Sequence, residues 1–200
     1  MMAFWAAKLV FLSVPKTGTH AYMAALGDRA DVVLRHPQNL KHTSAQRMRN
    51  KILPTLFQDQ AGALETLAVI REPVDWLGSW YRYRSRDALN GKPNSTAGRS
   101  FNDFVAAHLS DDPPAWASVG SQARFVSNGQ GEVIVDHLFA YDRQEDLRAF
   151  LSARLGFAVP TPPARNVSPE LVLDLSPELA ARLREERAAD FAVYARAMGG

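Results

Sequence analysis

The chain has 200 residues, 46% of them hydrophobic, which is enough for one domain with a sizeable core, residues 1–200, and too little for two full ones. A formal net charge of +2 excludes the strongly basic surface of a nucleic-acid binder, so no nucleic-acid partner is expected. Cysteine is absent, which excludes disulfides and thiolate metal sites and fits a reducing compartment, so a soluble cytoplasmic protein is expected.

Residues 1–14 are rich in apolar side chains, but Lys8 interrupts them and no small-residue cleavage pattern follows. The stretch is too short to span a bilayer and reads as the first strand, with no membrane span. Its apolar run stops at Pro15 and gives way to Lys16, Thr17, Gly18, Thr19 and His20. Good helix formers then follow, from Ala21 to Leu26, with Gly27 suited to a helix stop. Strand, tight loop and helix is the arrangement that aims free backbone N–H groups at an anion, and Lys16 adds a full positive charge. This is a phosphate-type cradle. It is not the Walker A loop, because the lysine precedes a single glycine and no second glycine lies upstream.

Residues 31–34 read as a second strand. Thr43 or Ser44 can cap a helix running through Met48 to about Leu53, ahead of Pro54, which puts His42 in a loop just before a helix N-terminus. Residues 67–70 are a third apolar run, ended by Arg71 and Glu72. Pro73 is suited to open a helix reaching to about Ala88. On that helix Trp76, Trp80 and Tyr83 form one stripe, read as core packing, and Arg82, Arg84 and Arg86 read as a solvated basic face. Residues 90–100 are a loop, 101–109 a helix, and 115–131 an ambiguous stretch with a short helix around Gln122 and Phe125. Residues 132–139 read as a fourth strand and 145–155 as a helix closed by Gly156. A proline-rich connector at 160–163 leads to a last helix over 177–198, with Leu179, Leu183, Phe191, Tyr194 and Met198 on one stripe facing the sheet. The alternation predicts an α/β fold: a three-layer α/β/α arrangement with a mainly parallel central sheet and a P-loop-like strand-loop-helix.

Ligands of open α/β sheets collect at the carboxyl ends of strands, where both the Lys16 loop and Arg71 fall. Arg71 supplies a planar fork for a phosphate, and Ser79, two turns into the next helix, a further hydrogen bond. With the Pro15-Lys16-Thr17-Gly18-Thr19 loop about 55 residues earlier, the pair resembles the sulfotransferases that use 3′-phosphoadenosine 5′-phosphosulfate (PAPS). The likeness is closer to the bacterial and carbohydrate-type branch than to the cytosolic small-phenol branch. It covers most of the chain, with a weaker third motif at Arg165-Asn166-Val167-Ser168 and at Asp190-Phe191-Ala192-Val193-Tyr194, while residues 90–131 match nothing in it.

The resemblance implies that Pro15, Lys16, Thr17, Gly18, Thr19 and His20 form the 5′-phosphosulfate loop, that Arg71 and Ser79 hold the 3′-phosphate, and that no metal is needed. Sulfuryl transfer through a loose in-line transition state is mostly positioning and charge stabilisation, and Lys16 is assigned to the departing 5′-phosphate. The acceptor hydroxyl needs a base, and a histidine suits that task at neutral pH. His42 is favoured, in a segment resembling the acceptor side of carbohydrate-type relatives, with His20 second. His36, His108 and His137 read as peripheral or structural, and Lys41 as a surface lysine or an aid to an anionic acceptor. The expected product is 3′,5′-ADP and the acceptor a small-molecule or carbohydrate hydroxyl. A P-loop-type kinase and a non-catalytic nucleotide-binding protein are the alternatives.

Overall fold

The computed structural model describes residues 1–162, 171 and 173–199. Five strands, β1 (Met2–Phe4), β2 (Leu9–Phe11), β3 (Val32–Val33), β4 (Glu65–Ile70) and β5 (His137–Ala140), form one sheet in the order β3-β1-β2-β4-β5. The pairs β2–β4 and β4–β5 are parallel, and β1 is antiparallel to both its neighbours. The fold is therefore α/β with a mixed sheet rather than a purely parallel one.

The departure comes from the N-terminus, where the single strand expected over residues 1–14 is a hairpin. Lys8 takes φ 50, its N–H donates to the Trp5 carbonyl, and its ammonium lies 3.1 Å from the centre of the Trp5 ring. A left-handed lysine braced on an indole replaces the glycine or asparagine that usually marks such a turn.

Alternation along the strands sorts side chains into two clusters. Val10, Leu12, Ala68, Ile70 and Ala140 belong to one. It is completed by α3 (Ala45–Arg47), α7 (Gln122–Val126) and α10 (Ala188–Ala197) through Ala45, Val126 and Val193. Leu9, Phe11, Leu67 and Val69 belong to the other, with α1 (Thr19–Leu26) and α8 (Gln144–Leu155) supplying Tyr22, Leu26, Leu147 and Leu151. A third cluster joins α5 (Pro73–Arg84), α6 (Phe101–His108) and α9 (Pro177–Glu186) through Trp76, Tyr81, Phe104 and Leu183.

Helix ends follow local chemistry. Ser44 Oγ accepts from the Arg47 N–H, and Glu72 caps α5 through the Asp75 N–H with Pro73 in the first turn. Gly156 closes α8 at φ 75. Pro54 does not end the helix before it. A π turn over Met48–Ile52 carries the chain from α3 into α4 (Leu53–Phe57), which takes Pro54 in its first turn. The other short helix is α2 (Gln38–Lys41).

Two further expectations need correcting. The fourth strand starts at His137 rather than 132, because Val133 pairs with Ser127 in an isolated bridge instead. The last helix is two, broken at Arg187 (φ −118, ψ 29). The break lets Leu179 and Leu183 serve the third cluster while Val193 and Ala197 reach the sheet, two directions that one straight stripe cannot meet. Met198 lies outside both contacts and is exposed. Residues 163–170, which include Arg165-Asn166-Val167-Ser168, lie outside the described residues. Among the described residues no helix is long and apolar enough to cross a membrane.

Candidate functional site

The chain leaves the sheet after Leu12, whose N–H still donates to the Leu67 carbonyl, and turns through residues 13–18 into α1. Three successive carbonyls of this turn are held from the protein side. Thr17 Oγ1 donates to Val14 O at 2.9 Å, Trp76 Nε1 to Pro15 O at 2.8 Å, and Arg71 Nη1 to Lys16 O at 3.3 Å. In a trans peptide the C=O and the next N–H point in opposite directions, so the bonds at Pro15 O and Lys16 O turn the N–H groups of Lys16 and Thr17 away from the protein donors. The N–H groups of Lys16, Gly18 and Thr19 have no acceptor among the described residues.

Lys16 at φ 67 and Gly18 at φ 76 are both left-handed, a backbone form that makes anion-binding concavities and that a non-glycine residue holds only under constraint. Gly18 meets a second demand, since a Cβ there would lie 3.2 Å from the Tyr141 ring. Thr17 is fully buried and its hydroxyl donates to Val14 O, so its side chain shapes the loop from within. Thr19 is also buried.

The charges around the loop are cationic. Lys16 Nζ lies 4.3 Å from the centre of the Tyr83 ring, and the Arg86 guanidinium 4.9 Å from the same ring. Burial, then the nearby charges of Arg86, Arg71 and Arg82, lower the Lys16 pKa to about 8. Arg71 pairs through Nε with Asp75, and its guanidinium lies 4.5 Å from the Tyr141 ring centre. Arg82 reaches the same Asp75 at 3.5 Å. Ser79 is buried on α5, four residues after Asp75 and three before Arg82, hence on their face of the helix. Trp80, stacked edge-on between Trp76 and Tyr83, keeps its indole N–H buried with no partner among the described residues. The aromatic stripe read as core is thus core at Trp76 and a wall beside Lys16 at Tyr83. The basic face read as solvated is not one either: Arg84 is buried, with its guanidinium on the carbonyls of Ala115 and Ser118.

The two leading histidines differ in what their nitrogens do. His42 Nδ1 lies 2.7 Å from Ser13 O. A carbonyl only accepts, so Nδ1 carries the proton in the neutral ring and the lone pair is on Nε2. Burial lowers the His42 pKa, the Ser13 bond opposes this, and the charge of Lys41 adds to the lowering. His20 is exposed, and its Nε2 lies 2.6 Å from Lys41 Nζ, whose ammonium occupies that lone pair. Burial lowers the His20 pKa, helped by Lys41 and Lys16. Lys41 is no surface lysine: it is 2% exposed, and burial lowers its pKa. His108 and His137 are held in structural contacts with Ala117 O and Glu65.

Three residues beyond the sequence reading complete the site. Gln122 clamps the Arg71 backbone, Tyr141 packs between Gly18 and Arg71, and Asp75 neutralises part of the arginine cluster. The placement of Tyr141 just past an apolar run was the one available signal. Among the described residues no group of three His, Cys, Asp or Glu side chains could hold a metal ion. Comparison of the chain with protein-family models, with curated proteins and with solved structures finds no match.

Proposed function

We propose that this chain is a PAPS-dependent sulfotransferase of three-layer α/β/α design, its 13–18 turn acting as a P-loop-like phosphosulfate loop and its acceptor a hydroxyl compound. The observation that carries the reading is the loop itself. Its carbonyls are tied to Thr17, Trp76 and Arg71 while its N–H groups and Lys16 are left for an anion. Lys16 stands beside Arg71 and Arg82, which share the carboxylate of Asp75, and this cationic group fits a polyanion better than a neutral ligand.

PAPS would supply the sulfuryl group, with the bond to the acceptor oxygen forming as the sulfur–oxygen bond to the 5′-phosphate breaks. Lys16 and the loop N–H groups bind the 5′ end and stabilise charge growing on the leaving phosphate. Arg71, with Nε on Asp75 and Nη1 on Lys16 O, has Nη2 for a 3′-phosphate, and Ser79 adds a hydroxyl from α5. His42, neutral with its lone pair on Nε2, takes the acceptor's proton. His20 holds Lys41 instead, which favours His42 as the base.

The test is thermal unfolding of the full chain with 3′,5′-ADP and, separately, with ATP and Mg²⁺, repeated on Lys16→Ala and Arg71→Ala, beside transfer of labelled sulfate from PAPS. A ligand that binds only the native state at one hundred times its dissociation constant stabilises by about 2.7 kcal/mol. A shift with 3′,5′-ADP that Arg71→Ala loses, together with transfer, is expected. Preference for ATP and Mg²⁺ would replace the reading by a kinase, and binding without any transfer by a non-catalytic nucleotide-binding protein.

A further inference from the structure

The segment that matched nothing in sequence, residues 119–125, forms one wall of a cleft of about 250 Å³. Opposite it stand Trp76 and the chain at Val14 and Pro15. In the chain, Val14 and Pro15 stand between Ser13, which holds His42, and Lys16.

We propose that this cleft seats the acceptor, and that the acceptor is a small alcohol on an apolar ring rather than a sugar; the assignment of the occupant as an acceptor rests on the sulfotransferase reading. The chemistry of the lining decides the class. Three of its four polar side chains are already spent inside the protein. Ser121 Oγ donates to Asp190 and accepts from the Arg124 N–H. Both ends of the Gln122 amide are on the Arg71 backbone, and Trp76 Nε1 is given to Pro15 O. The fourth, the exposed Arg124, also lines the cleft and is the one polar side chain there with no partner among the described residues. The rest of the lining is Val14, Pro15, Trp76, Val119 and Phe125 with the Gly120 backbone, so most of its surface is apolar. A sugar brings several hydroxyls that would lose water here and find few partners, whereas one hydroxyl on an aromatic body loses little and packs against the partly exposed Phe125 ring.

The wall is also built rather than loose. Asp190 accepts from Ser121 Oγ and from the Ala123 N–H, Gln122 locks the segment to Arg71, and Arg84 holds Ala115 and Ser118 just upstream. The volume lies below the roughly 300–1,000 Å³ of drug-sized sites, which limits the occupant to a compact body.

The experiment measures binding of 2-naphthalenemethanol and of methyl β-D-galactopyranoside to the full chain by calorimetry, with 3′,5′-ADP titrated in parallel. Wild type is compared with Val119→Trp, which fills the cleft from a half-exposed position, and with Phe125→Leu, which removes a ring and keeps the wall apolar. The expected result is saturable binding of the aryl alcohol, weakened about tenfold in Val119→Trp and several-fold in Phe125→Leu. The galactoside should not bind, and 3′,5′-ADP affinity should be the same in all three proteins. Binding of the galactoside but not the aryl alcohol, or aryl-alcohol affinity untouched by both substitutions, overturns the assignment even where 3′,5′-ADP binds. The expected aryl-alcohol pattern without 3′,5′-ADP binding keeps the apolar-alcohol site and removes the nucleotide reading.

Discussion

The side-chain amide of Gln122 bonds the backbone of Arg71 at both ends: Oε1 accepts from the Arg71 N–H at 2.9 Å, and Nε2 donates to the Arg71 carbonyl at 2.7 Å. Strand β4 ends at Ile70, so Arg71 has left the sheet ladder, and a buried amide does for it what a neighbouring strand does elsewhere. The helix that follows Ser121 is thereby fixed to the strand end that aims Arg71.

Replacing Gln122 by leucine leaves a buried donor and a buried acceptor without partners, a loss of about 2–4 kcal/mol. Glu at the same position keeps one acceptor and should lose less. Denaturant unfolding measures the first effect, and calorimetry with 3′,5′-ADP the second: Gln122→Leu should bind the nucleotide more weakly because Arg71 is no longer held. An unchanged midpoint in Gln122→Leu would show that the amide clamp carries no stability.

For His42, substitution by asparagine should lower kcat by about 100- to 10,000-fold, as expected for loss of a general base, with 3′,5′-ADP affinity retained. His20→Ala should cost less, because its Nε2 is occupied by Lys41. The His42 pKa is pushed below its ordinary value, chiefly by burial. The neutral base therefore persists to lower pH, and the acid limb of the rate profile should fall below about 6.5. A profile whose acid limb lies at or above that value, or full rate in His42→Asn, contradicts the assignment.

Lys16 gives the opposite limb. On the sulfotransferase proposal its ammonium is the active form, and its pKa is lowered to about 8, so kcat/KM should decline as pH rises through that region. Arg86 is the largest of the neighbouring charges that lower it, and Arg86→Met should move this limb to higher pH. A bound polyanion favours the ammonium, so the limb in kcat should lie higher than the one in kcat/KM. Coincident limbs in both profiles, unmoved by Arg86→Met, would remove Lys16 from the ionisation.

What could be read in the sequence was local. The loop at Pro15–Thr19 and the strand end at Arg71 are announced by short apolar runs stopped by Pro, Gly or charge, and the caps at Ser44 and Gly156 by residue type. The hairpin was hidden because residues 5–8, Trp-Ala-Ala-Lys, contain no turn former, and its geometry rests on a lysine over an indole. The break at Arg187 was hidden for a related reason. No Gly or Pro marks it, and the carboxylate of Asp190 is held by Ser121 and Ala123, nearly seventy positions earlier. Gln122 and Tyr141 follow the same rule: their partners are distant in sequence, and no periodicity encodes them.

His108 makes acid stability a separate test. It is buried, donates Nδ1–H to Ala117 O, and has its pKa lowered to about 4, first by burial and then by Arg187 and Arg84. Between an unfolded value of about 6.5 and that folded value, the unfolded chain binds a proton that the folded one refuses. Stability is therefore complete above pH 6.5 and falls as pH is lowered towards 4, by about 3 kcal/mol over the window for this group alone. His108→Asn keeps a donor at the Nδ1 position for Ala117 and has nothing to protonate. It should begin less stable at pH 7.5, because a shorter amide fills the site poorly, and then lose less between pH 7.5 and 4 than the wild type does. Urea unfolding at the two pH values measures both losses, and equal losses in the two proteins would show that His108 ionisation does not govern acid unfolding.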